Sequence, residues 1–495
     1  MNRRYFLKSS LAGAVAACLP YGQLLSATRI SSAVAAVTGS GSAITLEPGA
    51  LQELKDSLRG ALLLAGEPGY DQARRVLNES IDRHPALVVQ PSGVADIRTA
   101  VTFAKERDLL LAVKCGGHSY AGKSTCDRGM QIDLSHFRGV QIDPMSRTAR
   151  VAGGSLLGEL DHEAMAFGLV TTAGTVSHTG VAGLTLGGGF GRIARRHGLA
   201  LDNVKAVELV TADSKLVRAS AAENPDLFWG LRGGGGNFGI VTSFEFALHP
   251  MSRQVIGGDL VFPVARAREL LEFYTDFSLG APDDLYVDAI MSTPAGGKDG
   301  VFLIHVCYTG PATQAESVLA PVRKLGTPLA GAIGPVDYVA LQRSSDRTDP
   351  RNQGEYLKSG FIDGVDARLV STIMDGFEPH PGRGTTVFFQ HSGGAIGRVA
   401  PDATAFPHRR STHNMFATVS WPLGVDATPH VAYIKKYWAT LEAFTDGYYT
   451  NEVGEEGQRF VDANYQGNLA RLQAVKSKYD PSNLFRLNAN VTPAA

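Results

Sequence analysis

The first part of the chain mixes helical repeats with short apolar runs. Apolar residues recur at helical spacing over residues 51–62, and the runs at 86–89 and 109–113 have the length of buried strands. Between these runs, Pro91 and Gly93 precede a stretch with one apolar helical face, so a β-α-β unit is predicted. Further predicted elements are strands at 130–134, 140–143 and 148–151, a helix at 156–167, a hairpin at 203–220, a short helix after 224 and a strand at 240–246.

After residue 250 the pattern changes to longer helical repeats that alternate with strands. Helices are predicted at 264–277, 311–325, 365–377 and 431–444, and strands at 285–291, 301–308, 386–391 and 416–421. This arrangement favours an α+β unit in which helices cover one face of an antiparallel sheet. A last helix is predicted at 469–476.

Glycine is clustered in three places. Residues 114–122 read K-C-G-G-H-S-Y-A-G after an apolar strand, residues 179–191 read T-G-V-A-G-L-T-L-G-G-G-F-G, and residues 232–239 contain four consecutive glycines. The second cluster is too dense in glycine for a stable helix or strand and is predicted to be irregular. Backbone N–H groups without side chains around them can hold a phosphate, so the clusters indicate a phosphate-bearing ligand.

Length and charge narrow the possible functions. A chain of 495 residues can form two domains, and its formal net charge of -1 with no basic run disfavours a nucleic-acid partner. Cysteine is scarce, and no Cys and His spacing fits a metal site. No metal is therefore predicted.

The N-terminus is predicted to be a targeting segment. Arg3 and Arg4 precede Phe6 and a mildly apolar stretch, which resembles a bacterial twin-arginine signal, and residues 33–36 offer cleavage sites. No apolar run is long enough for a permanent membrane span. We therefore expect export by the twin-arginine machinery to the periplasm or medium, and residues 1–40 are left out of the fold prediction.

Residues 117–124 also match the phosphate-binding loop of nucleoside triphosphatases. That motif needs a helix that begins near Lys123, whereas Asp127 and Gly129 indicate a turn and a strand follows. An exposed histidine in a plain glycine loop is a further alternative. A Rossmann fold is disfavoured because no G-x-G-x-x-G lies between a strand and a long helix.

The G-G-H-S-Y-A-G loop resembles the flavin-attachment loop of the berberine-bridge-enzyme-like FAD-linked oxidases. The resemblance extends over residues 83–249 and over the last fifty residues, including Y-D-P-S-N-L-F-R. It implies an α+β fold with a two-part PCMH-type FAD-binding domain and a substrate domain whose antiparallel sheet covers the flavin. The implied segments are a lead-in at 45–83, FAD-binding parts at 84–250 and 447–495, and a substrate domain at 251–446.

The resemblance also implies specific FAD contacts. His118 matches the histidine that is bonded to the flavin 8α carbon in the family. The other implied FAD-binding residues are Cys115, Gly116, Gly117, Ser119, Tyr120, Asp133, Thr179, Gly180, Gly183, Gly187, Gly188, Gly189, Gly191, Val241, Tyr465, Asn468 and Asn488.

The chain departs from family members that hold flavin by two bonds. Val176 stands where those members have a cysteine, so a single bond through His118 is predicted, with His178 an ordinary polar loop residue. Beyond the signal, three cysteines remain, and Cys115 and Cys126 on either side of the loop could pair.

The G-Y-Y-T-N segment at 447–451 resembles the family's element near the reactive edge of the flavin. Substrate oxidation by flavin needs a base, for which Tyr449 is the first candidate and Tyr448 and Glu452 are the alternatives. Gln390 and His391 are candidates for the residues of the sheet that face the flavin.

These features predict an exported FAD oxidase that acts on a small hydroxyl compound such as a carbohydrate, with dioxygen as the second substrate and hydrogen peroxide as a product. The alternatives are an oxidative tailoring enzyme or a dehydrogenase of secondary metabolism, a flavoprotein that only binds its ligand, and a nucleoside triphosphatase.

Overall fold

The computed structural model describes residues 29–296, 299–348, 353–452 and 457–494. The predicted twin-arginine motif lies outside the described residues. Within them, no helix is both long and apolar enough to cross a membrane.

The strands are β1 (Val34–Val37), β2 (Ala43–Leu46), β3 (Ala61–Leu63), β4 (Leu87–Gln90), β5 (Leu111–Lys114), β6 (Met130–Asp133), β7 (Val140–Asp143), β8 (Thr148–Ala152), β9 (Leu169–Val170), β10 (Val204–Val210), β11 (Leu216–Ser220), β12 (Ile240–Ala247), β13 (His249–Pro250), β14 (Gln254–Pro263), β15 (Leu285–Thr293), β16 (Val301–Tyr308), β17 (Ile333–Asp337), β18 (Gln353–Ile362), β19 (Gly384–His391) and β20 (His413–Pro422). The α-helices are α1 (Pro48–Ser57), α2 (Tyr70–Arg74), α3 (Val94–Glu106), α4 (Leu157–Met165), α5 (Val181–Gly187), α6 (Ala194–His197), α7 (Pro225–Leu231), α8 (Ala267–Leu279), α9 (Ala315–Arg323), α10 (Tyr338–Arg343), α11 (Ala367–Gly376), α12 (Thr428–Leu441), α13 (Gln458–Asn464) and α14 (Leu469–Tyr479).

The first sheet confirms the predicted β-α-β unit. Its strand order is β3-β4-β6-β5, and β6 pairs in parallel with both β4 and β5. Helix α3 connects β4 to β5 and buries Ile97, Ala100 and Val101 in the core of this unit. The 114–122 loop begins where β5 ends, at one end of this parallel pair.

The second sheet is antiparallel, with the order β11-β10-β12-β8-β7. Its core includes apolar residues of α4, α5 and α7, and Leu472 and Val475 of α14 pack into the same core. The last helix of the chain therefore packs against the second sheet, which is built from the first half of the sequence.

The third sheet has seven antiparallel strands in the order β17-β14-β16-β15-β19-β20-β18. Helices α8, α9, α11 and α12 pack against one face, as predicted. The prediction missed β14, β17 and β18. Each of them contains glycine, and β17 also contains Pro335, residues that usually interrupt a strand.

One local prediction is wrong. The glycine-rich segment 179–191 contains helix α5, because burial of Val181 and Leu186 in the core outweighs low helix propensity. The pairing of Cys115 with Cys126, which the sequence left open, does not occur, because both residues are free thiols.

Candidate active site

A cavity of about 450 Å³ lies where three parts of the chain meet. The loop after β5 and the segments around α5 and β12 form one side, and β18, β19 and β20 form the opposite side. Residues 449–452 and 485–489 from the end of the chain complete the lining. Its size and its mainly apolar lining are typical of a small-molecule site.

Strand β5 and the glycines after it place His118 in the cavity lining. The buried amine of Lys114, the last residue of β5, donates to the carbonyl of Ala73 and lies 3.5 Å from Asp133. The next turn needs Gly117, which has a φ of 72°. His118 follows directly and lines the cavity.

His118 contacts two residues of the loop before α5. Its Nε2 lies 2.7 Å from Nδ1 of His178, and its Nδ1 lies 3.3 Å from Oγ1 of Thr179. His178 is a polar residue of this loop, as predicted, and its contact with His118 was not predicted. His178 is half-buried and touches the predicted attachment residue.

The glycine-rich wall fits a phosphate-bearing ligand. A Cβ atom on Gly116 would lie 2.3 Å from the amide nitrogen of Gly180, so only glycine allows these two segments to meet. A Cβ atom on Gly183 would meet no atom within 4 Å, which leaves exposed backbone in the lining. Such backbone can present N–H groups to phosphate oxygens.

Several buried polar atoms of the lining also fit a bound ligand. Within the described residues, Oδ1 of Asn488, Oγ1 of Thr450 and Oγ of Ser124 have no hydrogen-bond partner in the chain. A buried polar atom without a partner is costly, so a ligand that satisfies these atoms is favoured here.

Tyr449 is buried and its hydroxyl oxygen is already engaged. It accepts hydrogen bonds from the backbone N–H of Gly189 and from Nδ2 of Asn451, both at 2.7 Å. Burial raises the pKa of Tyr449 well above its usual value, and the nearby Glu452 raises it further. This phenol therefore ties the C-terminal segment to the end of α5.

Glu452 is the one carboxylate among the described residues that line the cavity. It accepts a hydrogen bond from Nδ2 of Asn414 at 3.3 Å, and the same amide lies 3.4 Å from Oε1 of Gln390. Burial raises the pKa of Glu452 to about 8, although the Asn414 hydrogen bond opposes this rise. A carboxylate with this pKa can exchange a proton near neutral pH.

The alternation of β19 decides which residues face the cavity. Thr386, Phe388 and Gln390 line it, whereas the intervening Val387 and Phe389 pack under the helices. His391 lies on the helical face, where it is buried and bonded to Val287 and Ser278. Gln390 therefore faces the cavity as predicted, and the prediction for His391 is wrong because adjacent strand residues point to opposite faces.

Two family models match the chain. A model for an FAD binding domain matches residues 85–220, and a model described as berberine and berberine like matches residues 448–492. An FAD-linked oxidoreductase of Dictyostelium discoideum is 31% identical over 90% of this chain and 97% of that protein. The chain belongs to the berberine-bridge-enzyme-like FAD-linked oxidoreductases.

Relatives of this family with named activities include the chitooligosaccharide oxidase of Gibberella zeae, which is 27% identical over 87% of this chain and 92% of that one. The crystal structure of 6-hydroxy-D-nicotine oxidase from Arthrobacter nicotinovorans superposes with a TM-score of 0.82 at 27% identity, covering 88% of this chain and 99% of that one. The chain is accordingly an oxidoreductase, and FAD is its cofactor.

The structure places many of the predicted FAD-binding residues on the cavity. The lining includes Cys115, Gly116, Gly117, His118, Ser119, Tyr120, Thr179, Gly180, Gly183, Val241 and Asn488, together with the catalytic candidates Tyr449 and Glu452. This set brings together residues that are far apart in the sequence.

Other predicted residues lie behind this lining. Asp133 accepts hydrogen bonds from Gln90 and Ser135, and Asn468 donates to the carbonyls of Pro401 and Thr404. Tyr465 is buried in the core that contains α14. These three residues support the wall of the FAD site from outside it.

Tyr448 and the last glycines of the 179–191 segment are also outside the lining. The backbone N–H of Tyr448 donates to Asn464 on the far side of the 449–452 turn. Cβ atoms on the last glycines would collide with Asn451, Tyr449, Ala200 and Ala173; these glycines are Gly187, Gly188, Gly189 and Gly191. The lack of side chains at Gly187 and Gly188 lets the C-terminal segment pack on the end of α5, and their lack at Gly189 and Gly191 lets the chain pack on Ala200 and Ala173.

The alternative that the chain is a nucleoside triphosphatase is wrong. Residues 121–129, all of them described, form turns and irregular backbone, and β6 follows at Met130. The helix that would hold phosphates after Lys123 is replaced by this irregular segment.

Sequence reasoning missed several lining residues, namely Lys123, Ser124, Phe388, Phe416, Thr418, Phe485 and Leu487. It also missed Asn414, which bonds to Glu452. Alternation along 384–391 and 413–422 was the available signal, but the buried face could not be assigned from the sequence.

Proposed function

We propose that this protein is an exported oxidase that carries FAD through one covalent bond from His118. It oxidises a hydroxyl compound, such as a carbohydrate, and passes the electrons to dioxygen with release of hydrogen peroxide. The observation that carries the proposed oxidation of a hydroxyl compound is Glu452, a carboxylate of raised pKa that lines the cavity together with the polar residues of the sheet.

FAD supplies the acceptor for the hydride that leaves the substrate carbon. Glu452 takes the proton from the substrate hydroxyl, and Asn414 fixes the orientation of its carboxylate through the 3.3 Å hydrogen bond. Tyr449 holds Asn451 and the end of α5 in place, because both donors to its oxygen come from those segments. Glu452 is therefore proposed as the base in preference to Tyr449.

The sheet face supplies groups that suit a hydroxyl-rich substrate. Gln390, Thr386 and Thr418 offer polar atoms, and Phe388 packs edge-to-face on Phe416 with ring centroids 4.8 Å apart. Such a mixture of hydrogen-bonding and aromatic side chains is suited to a sugar ring. The chitooligosaccharide oxidase among the relatives supports this choice.

The single bond is supported by the placement of His118 in the lining and by Val176 at the position of the second attachment residue of other members. Mass spectrometry of the peptide that contains His118 tests it. The added mass of FAD is expected in the natural chain and not in His118→Ala, which should release its flavin on acid precipitation. A covalent adduct in His118→Ala would contradict this attachment site.

Anaerobic mixing of the yellow holoprotein with sugars, alcohols and cyclic amines tests the reaction. We expect bleaching of the flavin absorbance by a hydroxyl compound, followed by rapid return of colour and hydrogen peroxide when air enters. Bleaching by amines alone would overturn the substrate class, because (R)-6-hydroxynicotine oxidase is also a relative. Slow reoxidation would indicate a dehydrogenase, and no bleaching by any compound would favour a binding flavoprotein.

A further inference from the structure

The face of the third sheet that points away from helices α8, α9, α11 and α12 carries a row of apolar side chains. Five neighbouring strands contribute one residue each, and the register places each residue opposite the next. In spatial order, the row consists of Val261 of β14, Leu303 of β16, Ile290 of β15, Phe388 of β19 and Phe416 of β20, which together form the apolar stripe. Neighbouring strands lie roughly 4.8 Å apart, so the stripe extends over about 19 Å.

The alternation of the strands directs the apolar stripe away from the core. The residues before and after each stripe position pack under the helices, as Leu260 and Phe262 do on either side of Val261. Among the described residues, the hydrophobic cores contain none of the five stripe residues. Phe416 is 6% exposed, whereas the other four are half-buried. The stripe is therefore apolar surface that is open at its outer end and closed where it enters the cavity.

Polar side chains lie on both sides of the apolar stripe. The row on one side includes Ser292, Thr386 and Thr418, and the row on the other side includes Asp259, His305 and Asp288. The stripe is therefore only one residue wide. A stable protein interface needs roughly 800 Å² from each partner, which five side chains in a single row cannot supply. A thin apolar chain fits this surface better than a protein does.

The apolar stripe continues into the candidate active site. Phe388 and Phe416 line the cavity, on the wall opposite the glycine-rich segments that fit FAD. Two positions away on the same strands, at roughly 7 Å, lie Gln390 and Asn414. Asn414 bonds to Glu452, the proposed base. The inner end of the stripe is therefore next to the carboxylate that would act on the substrate hydroxyl.

We propose that the substrate is an amphipathic hydroxyl compound with an unbranched apolar chain. Its polar head lies beside Glu452, and its chain crosses Phe416 and Phe388 and follows the stripe toward β14. The position of the head rests on the proposed function, whereas the binding of the chain rests on the stripe alone. A methylene group that leaves water completely increases affinity about fourfold. Because the stripe covers the chain on one side only, we expect about twofold for each methylene group.

Binding of alkyl β-glucosides tests the apolar chain separately from the reaction. The full-length holoprotein is reduced with dithionite under nitrogen, so that its flavin cannot oxidise the ligand. Methyl, butyl, hexyl and octyl glucosides are then titrated below their micelle concentrations by isothermal titration calorimetry. The stripe variant carries Ile290→Thr and Leu303→Thr, because threonine is also a good strand former. Leu216→Thr, at an apolar residue of β11 that is 50% exposed, is the matched control.

In the natural chain, we expect octyl glucoside to bind about 100-fold more tightly than methyl glucoside, at about twofold for each added methylene group. The stripe variant should lose roughly fivefold or more of this ratio, while its affinity for methyl glucoside stays the same. The control should behave as the natural chain does. Ile290→Trp gives a second test if the stripe variant fails to fold, because a bulky ring in the middle of the stripe should end the gain beyond butyl glucoside.

Equal affinities for methyl and octyl glucoside in the natural chain would overturn the inference, and so would a ratio that neither the threonine changes nor Ile290→Trp alters. Sedimentation of the natural chain and of the stripe variant tests the other occupant, which is a second copy of the chain. A dimer that only the natural chain forms would overturn the inference and assign the stripe to that contact.

The same ligands distinguish this inference from the proposed oxidase activity. If binding depended on chain length but no glucoside bleached the oxidised flavin under nitrogen, the stripe would be supported and oxidation of this head group contradicted. If the glucosides bleached the flavin with an affinity that did not depend on chain length, the oxidase would be supported and the role of the stripe overturned.

Discussion

At the scale of single residues, the chemistry of the cavity depends on which oxygen atoms are already engaged. The Y-Y-T-N segment indicated a site near residue 449, and Tyr449 was the first candidate for the base. The structure shows that its oxygen accepts from Gly189 and Asn451, whereas Glu452 has one amide donor. This difference could not be predicted because Gly189 and Tyr449 are 260 positions apart.

Replacement of Glu452 by Gln is expected to slow flavin reduction by roughly 10²- to 10⁴-fold, because it removes the proposed base. A base must be ionised, so the rate in the natural chain should rise with pH through about 8, the raised pKa of Glu452, and this rise should be absent in the variant. Stopped-flow reduction at several pH values measures both effects. Glu442→Gln, at an exposed carboxylate, is the control, and an unaltered pH profile in Glu452→Gln would rule Glu452 out.

Replacement of Tyr449 by Phe should affect stability more than chemistry. The backbone N–H of Gly189 loses its acceptor in a buried place, which costs about 1–3 kcal/mol of unfolding free energy. The thermal midpoint should fall, while flavin reduction changes far less than in Glu452→Gln. If Tyr449→Phe lost as much of its flavin-reduction rate as Glu452→Gln while its thermal midpoint was unchanged, the phenol would instead be supported as the base.

At the scale of elements, the 179–191 segment shows two uses of glycine. A Cβ atom on Gly191 would lie 1.7 Å from the carbonyl oxygen of Ala173, whereas one on Gly183 would meet nothing within 4 Å. Gly191→Ala is expected to cost about 3 kcal/mol or more. Gly183→Ala should keep or raise stability by about 0.5–1 kcal/mol, since alanine favours helix α5, but weaken FAD binding.

Thermal unfolding of flavin-free chains and titration with FAD measure these two effects separately. Equal losses of stability in both glycine variants would contradict the distinction between a packing glycine and a cavity glycine.

Strand β19 offers a matched pair of neighbouring residues. Gln390→Ala should raise the KM for a hydroxyl substrate roughly 2- to 10-fold, the worth of one hydrogen bond, with little loss of stability. His391→Ala should cost about 2–5 kcal/mol of stability, because it empties a buried position and frees two hydrogen-bonding partners, and should leave KM unchanged. The opposite pattern would show that the faces of the strand were assigned wrongly.

At the scale of elements, the strands and helices with a regular local pattern of apolar residues were the ones that could be predicted from the sequence. Strands rich in apolar residues, such as β15 and β16, were predicted close to their observed bounds. Strand β14 carries Gly257 and Gly258 in its middle and was missed, because its pairing with β16 and β17 on both sides supplies the stability that local propensity lacks. Helix α5 was missed for the same reason, since tertiary burial is invisible in a local pattern.

At the scale of the whole molecule, the site depends on the return of the chain to its first half. Helix α14 packs beside α7, and residues 485–489 then line the cavity together with the loop that carries His118. The resemblance to known sequences located both ends of this arrangement. The residues of the third sheet that face the cavity could not be located in the same way. Gln390 meets Asn414 through the register of β19 and β20, and Asn414 then bonds to Glu452 from the end of the chain.

The proposed export is tested on the intact chain. The twin-arginine route carries folded proteins, so a cofactor bound before export would travel with the chain, and a covalent bond would prevent its loss outside the cell. Replacement of Arg3 and Arg4 by Lys should keep the protein, still yellow, inside the cell, whereas the natural chain should appear outside the cytoplasm without its first residues. Cell fractionation with N-terminal sequencing measures this. Replacement of Arg74 and Arg75 by Lys serves as a control, because it also exchanges two arginines for lysines without a change of charge. Export of the Arg3 and Arg4 variant at the level of the natural chain would contradict the twin-arginine proposal.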